Sequence, residues 1–516
     1  MVQHHEPSRG EPDASALLAR HELRRRASAG VLIVGSRGLV IAVVGFVGQV
    51  VLARLLTPAD FGAVAVGLTF VVFINLFADG GIGASLIRRL KPPERGELEA
   101  LSALQVSVAV ALSLIVAALA PLFGRTGLVT AVVVASTPLL ALQIPGRIVL
   151  ERALEYRRLA AVEVAQVLVF NAWSIGWTLA GAGVWGLASA TVVRSAVGVL
   201  AMAIATPAGR IWPHFSWRRT RPLIGFGLRF QAVTGLWLLR EQGLNGAVAV
   251  VSGVSTLGLV SVARRLLEVP NLLLQSLQRV SFPAMSQLVA RREGSAAQLE
   301  RVVGLTVVAQ GIILTGLAGS AAGLVPGLFG EQWRSAASVL PAACLGLGIS
   351  GAISIGSQAY LFAVGDAKTV LLSGMLQVIA LFSITVPLLP LVGVRAVGLG
   401  WLASSAVEAA TLGTAIARRT GAHIGRCIAV PTAVGLLSGA SGAAITAVLG
   451  SDLLAGVLGG LASAVLFIVL LLLTRRQLLV ESVRFARLAV RAALRAPVYD
   501  APQKEAGGRS GEELNG

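Results

Sequence analysis

Long apolar runs, separated by short polar connections, extend from residue 33 to residue 474. A helix needs roughly twenty apolar residues to cross the hydrocarbon core of a bilayer. Runs of this kind lie at residues 33–53, 61–83, 101–123, 127–149, 159–181, 184–206, 223–251, 255–283, 302–325, 335–362, 369–391, 394–416, 427–449 and 453–474. The pattern predicts an all-α polytopic membrane protein with about fourteen transmembrane helices.

The polar segments predict how the chain is divided. A basic connection separates the first six apolar runs from the next six, and transporters are commonly built from such repeats with the substrate site between them. In the tail, residues 475–495 have the pattern of a basic amphipathic helix with Val483, Leu488 and Leu494 toward lipid. The expected regions are a cytoplasmic N-terminal tail (1–29), an N-lobe with helices 1–6 (30–206), a cytoplasmic linker (207–222), a C-lobe with helices 7–12 (223–418), helices 13 and 14 (425–474), and a basic, then disordered, cytoplasmic tail (475–516).

The charges of the connections predict the orientation of the helices. Connections rich in Arg and Lys stay on the cytoplasmic side of a membrane. Every second connection carries basic residues, in clusters except for the lone Lys368, whereas the connections between them carry only Arg54, Arg125, Arg334 and Arg395. Both tails fall on the basic side, so both termini are predicted to be cytoplasmic.

The composition agrees with a membrane protein and argues against a nucleic-acid partner. Hydrophobic residues make up 55% of the 516 residues and charged residues 13%, whereas charged residues are about a quarter of an average soluble chain. The net charge of +18 is placed in short clusters between apolar runs and in the tails, as topology signals are. The two Cys and five His show no metal-ligand spacing, so no metal, cofactor or catalytic site is expected.

Several arginines fall inside the predicted spans, where a charge costs about 2.5 to 3.5 kcal/mol on insertion scales and therefore faces a partner or a water-filled cavity. Arg37, Arg229 and Arg279 lie close enough to helix ends to snorkel. The deeper ones are Arg194, Arg240, Arg264 and Arg265; the acids of the same region are Glu241 and Glu268, with Glu163 and Glu408 nearer the cytoplasmic ends.

Two local spacings suggest how these charges are arranged. Arg264 and Glu268 are four residues apart on one predicted helix and can pair directly. Arg240 and Glu241 are neighbours in sequence and therefore point about 100° apart around a helix. Arg240 is expected to face something other than Glu241, either a substrate phosphate or a structural ion-pair partner.

Several short motifs lie between, beside and within the apolar runs. They are RLLTPADFG at 54–62, DGGIGAS at 79–85, RRL at 157–159, GAGVWGL at 181–187, LG at 257–258 with AR at 263–264, FPAMS at 282–286 and FGEQW at 329–333. Together they resemble the motifs of the polysaccharide and O-antigen flippases of the multidrug/oligosaccharidyl-lipid/polysaccharide exporter (MOP) superfamily. The resemblance covers about residues 30 to 475, and the combination of motifs is more specific than any single one.

The resemblance implies a transporter of the bacterial cytoplasmic (inner) membrane that flips an undecaprenyl-pyrophosphate-linked oligosaccharide by alternating access. Its partners would be that substrate, membrane lipids and a polysaccharide polymerase complex. A cationic cavity between the lobes would receive the pyrophosphate, because guanidinium binds phosphate oxygens through paired hydrogen bonds. The expected site consists of cavity cations (Arg37, Arg194, Arg240, Arg264, Arg265), coupling or ion-pair acids (Glu241, Glu268) and a periplasmic gate residue (Arg54).

Other functions remain as alternatives. A drug or cation antiporter of the same superfamily would carry acids deep in its first lobe, and no deep acid stands beside Arg37 and Arg194 in the predicted spans. A membrane glycosyltransferase or ligase would need acids, His or a metal on a sizeable external loop. A non-transporting scaffold would keep the helices without the buried arginines.

Overall fold

The computed structural model describes residues 37–79, 93–206, 211–291, 295–450 and 452–495, and every regular element within them is helical. Short 3₁₀ segments at Ala120–Phe123 and Glu331–Val339 and a π-helical turn at Thr178–Ala182 join some of the α-helices. The α-helices are α1 (Arg37–Leu55), α2 (Pro58–Asp79), α3 (Arg95–Leu119), α4 (Gly124–Val134), α5 (Thr137–Arg152), α6 (Tyr156–Trp177), α7 (Val184–Ala205), α8 (Trp217–Arg291), α9 (Ser295–Phe329), α10 (Leu340–Ala363), α11 (Ala367–Val392), α12 (Arg395–Thr420), α13 (Ile424–Leu449) and α14 (Leu453–Arg495).

This architecture is that of a multi-pass membrane protein. Eleven helical segments of the described residues are long and apolar enough to cross a bilayer. The predicted all-α polytopic fold is confirmed, while the number of about fourteen transmembrane helices, the lobe boundaries and the orientation stay predictions. The N-terminal tail, the motif at 80–85 and residues 496–516 lie outside the described residues.

The chain reverses its direction inside α8, at Gly253. Glu241 Oε2 and Arg264 Nη1 are 3.2 Å apart, whereas 23 residues of straight helix would separate them by about 35 Å. Gly253 has φ 83° and ψ 166°, a conformation that glycine adopts without a steric penalty. Residues 217–252 and 254–291 therefore form two antiparallel arms, and the predicted boundary between runs 223–251 and 255–283 is confirmed.

A second reversal separates α3 from α4 and α5. Ser113 Oγ lies 2.6 Å from Thr137 Oγ1, and Leu98 and Ile148 belong to one buried apolar cluster. The turn is made by the 3₁₀ segment Ala120–Phe123 and by Gly124, which has φ 56°. The predicted runs 101–123 and 127–149 are thus two antiparallel segments.

The turn between α1 and α2 is fixed by local hydrogen bonds. The Thr57 backbone N–H donates to Asp60 Oδ2 at 3.1 Å, and the Asp60 N–H donates to Thr57 Oγ1 at 3.3 Å. This reciprocal arrangement is a capping box, and Pro58 stands at the first helical position, where its missing N–H costs nothing. Arg125 Nη2 also pairs with Asp60 Oδ1 at 3.0 Å.

The N-terminal half (α1–α7) meets the later helices at the end of the molecule that carries this turn. Here α2 and the second arm of α8 cross at Gly62 and Gly258. A Cβ atom on Gly258 would lie 1.9 Å from the Pro58 carbonyl oxygen, so the two backbones touch. Next to the crossing, the Phe61 ring packs edge-on against Trp333, with centroids 5.1 Å apart.

The last two helices pack on α9. Thr446 Oγ1 of α13 donates to the Gly319 carbonyl oxygen at 2.9 Å. Helix α14 is interrupted at Arg475 (φ −144°, ψ 51°) and continues to Arg495. The predicted helix at 475–495 is therefore confirmed, whereas the side chains of Val483, Leu488 and Leu494 lie outside the described ones.

The orientation can be tested with reporter fusions. Because the basic connections are predicted to be cytoplasmic, fusions after Gly181 and after Ser451 should report an external location. Fusions after Arg219 and after Arg292 should report a cytoplasmic one. A cytoplasmic signal at Gly181 would contradict both the orientation and the helix count.

Candidate functional site

A cavity lies between the two halves of the molecule, and its larger part, the N-side chamber, has a volume of about 610 Å³. It is bordered by α1, α2, α5, α6, α7 and both arms of α8, the first arm contributing Asn245. The polar and charged residues that line it are Gln49, Ser136, Asn171, Thr191, Arg194, Ser195, Asn245, Ser261, Arg264, Arg265 and Glu268.

A second part, the C-side chamber, has a volume of about 530 Å³ and lies among α8, α10 and α12. Arg264 and Glu268 line both chambers, so the two parts adjoin. Each chamber has the size of a typical small-molecule site. The polar and charged residues of the C-side chamber are Arg240, Glu241, Arg264, Glu268, Asn271, Ser350, Ser354, Gln358, Ser405 and Glu408.

Arg194 is the N-lobe cation that faces the N-side chamber. Its side chain is exposed to the chamber, and its guanidinium carbon lies 5.9 Å from the centre of the Phe170 ring. A guanidinium over an aromatic face keeps its charge and its outer N–H groups. Arg194 is therefore placed to receive an anion.

Arg37 has a carboxylate partner, contrary to the expectation from the sequence. Its Nη1 lies 3.1 Å from Glu163 Oε2 on α6. The argument that no deep acid stands beside Arg37 and Arg194 is thus wrong, because Glu163 also interacts electrostatically with Arg194. The contact joins two helices that are far apart in sequence, so spacing along the chain could not show it.

Arg264 pairs across the α8 hairpin and not along its own helix. Its Nη1 lies 3.2 Å from Glu241 Oε2, and its Nη2 donates to Asn245 Oδ1 at 3.3 Å. The predicted pair of Arg264 with Glu268 is wrong, since Glu268 pairs with Arg265, three residues before it. The reversal at Gly253 places the first arm opposite Arg264, and this supplies the partner.

Arg240 bonds to a residue other than Glu241, as predicted. Its Nη1 donates to Gln377 Oε1 on α11 at 3.2 Å. Hydrogen bonds continue from Gln377 Nε2 to Ser373 Oγ at 3.3 Å and from there to Thr411 on α12. Arg240 therefore belongs to a polar network that connects three helices.

Glu408 is a cavity residue that sequence reasoning left aside. It was placed near a cytoplasmic helix end, but it is 7% exposed and lines the C-side chamber. Gln358 Nε2 of α10 donates to Glu408 Oε1 at 3.3 Å. Its position among the apolar residues of run 394–416 is the sequence feature that could have indicated a buried acid.

The charges around the cavity are more nearly balanced than expected. Among the described side chains, Arg37, Arg194, Arg240, Arg264 and Arg265 stand near Glu163, Glu241, Glu268 and Glu408. Cations exceed acids by a single charge in this set. The side chains of Arg229 and Arg279 lie outside the described ones. In the described parts of the chain, no group of three His, Cys, Asp or Glu could hold a metal ion.

Arg54 lies at the closed end of the cavity. Its Nε donates to the Leu328 carbonyl oxygen at 2.8 Å, and its Nη2 donates to that of Gly327. These carbonyls end α9, where a cation is favoured by the helix dipole. From the segment after α9, Trp333 Nε1 donates in turn to the Ala53 carbonyl oxygen at the end of α1, at 2.8 Å. Gln332 Nε2 also donates to the carbonyl oxygens of Ala53 and Leu56. Because these three side chains join the α1–α2 turn to the end of α9 and the segment after it, we name Arg54, Gln332 and Trp333 the latch.

Comparison with known proteins gives one family match and two curated relatives. The sequence profile of the family described as "Polysaccharide biosynthesis protein" matches residues 51–338. The succinoglycan biosynthesis transport protein ExoT of Rhizobium meliloti (strain 1021) is 28% identical over 316 residues, which are 59% of this chain and 63% of ExoT. The lipopolysaccharide biosynthesis protein WzxC of Escherichia coli (strain K12) is 26% identical over 319 residues, 60% of this chain and 64% of WzxC. The chain thus spans less than two thirds of either relative.

Two solved structures share the fold. Lipid II flippase MurJ in an inward closed conformation superposes with a TM-score of 0.69 at 12% identity, covering 87% of this chain and all of MurJ. An inward-facing multidrug resistance MATE family transporter of the MOP superfamily superposes with a TM-score of 0.55 at 15% identity, covering 73% of this chain and 95% of the transporter. At these identities the likeness concerns the fold alone.

Proposed function

Because the chain belongs to the polysaccharide biosynthesis protein family, the polysaccharide flippases of the MOP superfamily, we propose that it flips a lipid-linked oligosaccharide across the bacterial cytoplasmic membrane. The substrate would be an oligosaccharide on undecaprenyl pyrophosphate. Relatives named for succinoglycan transport and lipopolysaccharide biosynthesis support this class of substrate. A membrane-embedded polysaccharide polymerase complex would take up the product.

The observation that carries the proposal is the group of arginines at the cavity between the two halves. Arg194, Arg264 and Arg265 line the N-side chamber, and Arg240 and Arg264 line the C-side chamber. A guanidinium stays charged when water is removed and binds two phosphate oxygens at once. A pyrophosphate head group in this cavity would lie within reach of both chambers.

The ion pairs around the cavity suggest how the head group binds. Arg264 and Arg265 are neutralised by Glu241 and Glu268. A pyrophosphate carries more charge than a carboxylate and can replace these partners at the guanidinium groups. Glu241 and Glu268 would then serve as exchangeable counterions, which favours an ion-pair role for them over a coupling role.

Alternating access provides the transport step. The latch and the Gly62–Gly258 crossing hold one end of the two halves together, and Leu52 and Phe61 border the N-side chamber just beneath. Export would require this end to open while the opposite end closes. Arg54 is proposed as the gate residue, because its bonds to α9 must break when the halves separate. Membrane potential or an ion gradient would drive the cycle.

Deletion of the gene tests the function, and Arg194→Ala tests the site. The deletion strain should accumulate lipid-linked oligosaccharide on the cytoplasmic leaflet, and the wild-type gene should restore export. Arg194→Ala should restore less than about a tenth of it, because a charge-assisted hydrogen bond contributes roughly 1.5 to 3 kcal/mol. Membrane abundance and surface polysaccharide would be measured in the same strains.

Arg147→Ala is the matched control. Arg147 forms an exposed pair with Glu151 four residues along α5, so its loss should leave export unchanged. A deletion strain that accumulates no lipid-linked sugar but becomes sensitive to cationic drugs would contradict the flippase and favour an antiporter.

A further inference from the structure

One cavity acid differs from the others in its burial. Glu408 on α12 is buried, with 7% of the residue exposed, whereas Glu163 and Glu241 are half-buried and Glu268 is exposed. Removing a carboxylate from water disfavours its charged form. Among the described cavity acids, Glu408 is therefore the one that gains most from binding a proton.

The surroundings of Glu408 contain one dominant cation. Arg240 of the first α8 arm acts electrostatically on its carboxylate, and Gln358 of α10 donates the hydrogen bond to Oε1. The other charged groups that line the same chamber, Glu241, Arg264 and Glu268, all come from α8. The described residues that α10 and α11 contribute around Arg240 and Glu408 are neutral. They are Gln358 and Ser354 of α10 and Gln377 and Ser373 of α11.

Arg240 also lines the space that a ligand would enter. It lines the C-side chamber together with Glu408, and it borders a neighbouring cleft of about 310 Å³ between α8, α10 and α11. Its bond to Gln377 is made with a neutral amide, and its charge acts on the carboxylate of Glu408. An anion that enters the chamber must therefore compete with Glu408 for this guanidinium.

We propose that Glu408 is a proton-binding site whose protonation releases Arg240 to bind the phosphate of the substrate. The proton comes from water in the C-side chamber and adds to a carboxylate oxygen, and the neutral carboxyl keeps its hydrogen bond to Gln358. Arg240 keeps its positive charge and forms an ion pair with the phosphate, so one proton is bound for each anion held there. This inference rests on the proposed function, and it places the proton-binding group on α12 and not on Glu241 or Glu268.

Infrared spectroscopy of the purified full chain in lipid nanodiscs tests the proton site directly. Lowering the pH should produce the C=O band of a buried, protonated carboxyl in the wild type. The band should be absent in Glu408→Gln, which preserves side-chain size and the contact to Gln358. It should persist in Glu268→Gln, the matched control in which an exposed acid of the same chamber is removed. If the band remains in Glu408→Gln, or is absent from the wild type, the proposal is wrong.

Binding of inorganic pyrophosphate, measured by calorimetry at several pH values, tests the release of Arg240. Wild-type affinity should rise as the pH falls, by up to about tenfold per pH unit for one linked proton. Glu408→Gln should retain only the slope that comes from ionisation of the probe itself. Equal slopes in the two proteins would overturn the release step.

The two measurements separate this inference from the proposed function. Pyrophosphate that binds neither protein at any pH would contradict the anion site, while the infrared band would still decide whether Glu408 takes up a proton. Glu408→Asp covers the case in which Glu408→Gln folds poorly. It keeps a titrating group one methylene further from Gln358, so it must retain the band at a shifted frequency.

Discussion

Gly258→Val is expected to reduce export to the level of the deletion strain while the protein still inserts in the membrane. The added Cβ would lie 1.9 Å from the Pro58 carbonyl oxygen and 3.1 Å from the Gly62 backbone nitrogen. Backbone atoms of a helix cannot move aside as a flexible side chain can, so α2 and α8 would be forced apart. The latch end could not close, and the cavity would remain open at that end.

Cysteine labelling can show this state. Ala336 is fully buried beside the latch, and Ala336→Cys, with Cys344 and Cys427 replaced by alanine, should resist a membrane-impermeant maleimide. Adding Gly258→Val should make this cysteine react at least about tenfold faster, as expected when a minor open state becomes the main one. Gly246→Val is the matched control, since a Cβ at Gly246 on the same helix meets nothing within 4 Å. Normal export by Gly258→Val would show that the close crossing is not needed for the cycle.

Arg264→Ala is expected to lower export about a hundredfold, because up to two charge-assisted hydrogen bonds of roughly 1.5 to 3 kcal/mol each would be lost. The substitution also leaves the Glu241 carboxylate without the guanidinium that lies 3.2 Å from it. Such an uncompensated charge can lower stability even when no substrate is involved. Export and protein abundance must therefore be measured together.

The double variant Arg264→Ala/Glu241→Gln distinguishes the two roles of Arg264. If Arg264 served only to neutralise Glu241, removing both charges would restore export. If Arg264 binds the phosphate, the double variant should recover abundance but stay inactive. Arg301→Ala is the control, because Arg301 has a comparable ion pair with Glu481, at 3.5 Å, away from the cavity. Export by the double variant at wild-type level would remove Arg264 from the substrate site.

The helices were predictable because their signal lies in contiguous stretches of sequence. Burial in lipid demands apolar side chains around a whole helix, so runs such as 61–83 and 369–391 correspond closely to α2 and α11. The break between α4 and α5 at Ala135 and Ser136 was not predicted. Ser136, Thr137 and Pro138 at the break form a helix-start signal, but the apolar runs on both sides are close enough to appear as one.

The pairing of charges was predictable only where it depended on one helix. The angle between Arg240 and Glu241 follows from helix geometry, and Arg240 does face elsewhere, toward Gln377. The partners of Arg37 and Arg264 depend on which helices meet, and local spacing suggested the wrong neighbour for Arg264. The burial of Glu408 likewise arises from the packing of α12 against α10. The substrate-binding roles of the arginines remain predictions.

The hairpin of α8 also bears on how the chain enters the membrane during synthesis. A lone charged residue in a helix that leaves the translocon for lipid costs about 2.5 to 3.5 kcal/mol. Glu241 and Arg264 lie on opposite arms and form an ion pair across the turn at Gly253. If the two arms left the translocon one after the other, Glu241 and Arg264 would each enter lipid without the other as its ion-pair partner. Released together, the arms present a neutral pair, so biogenesis favours their insertion as a single unit once residue 264 has left the ribosome.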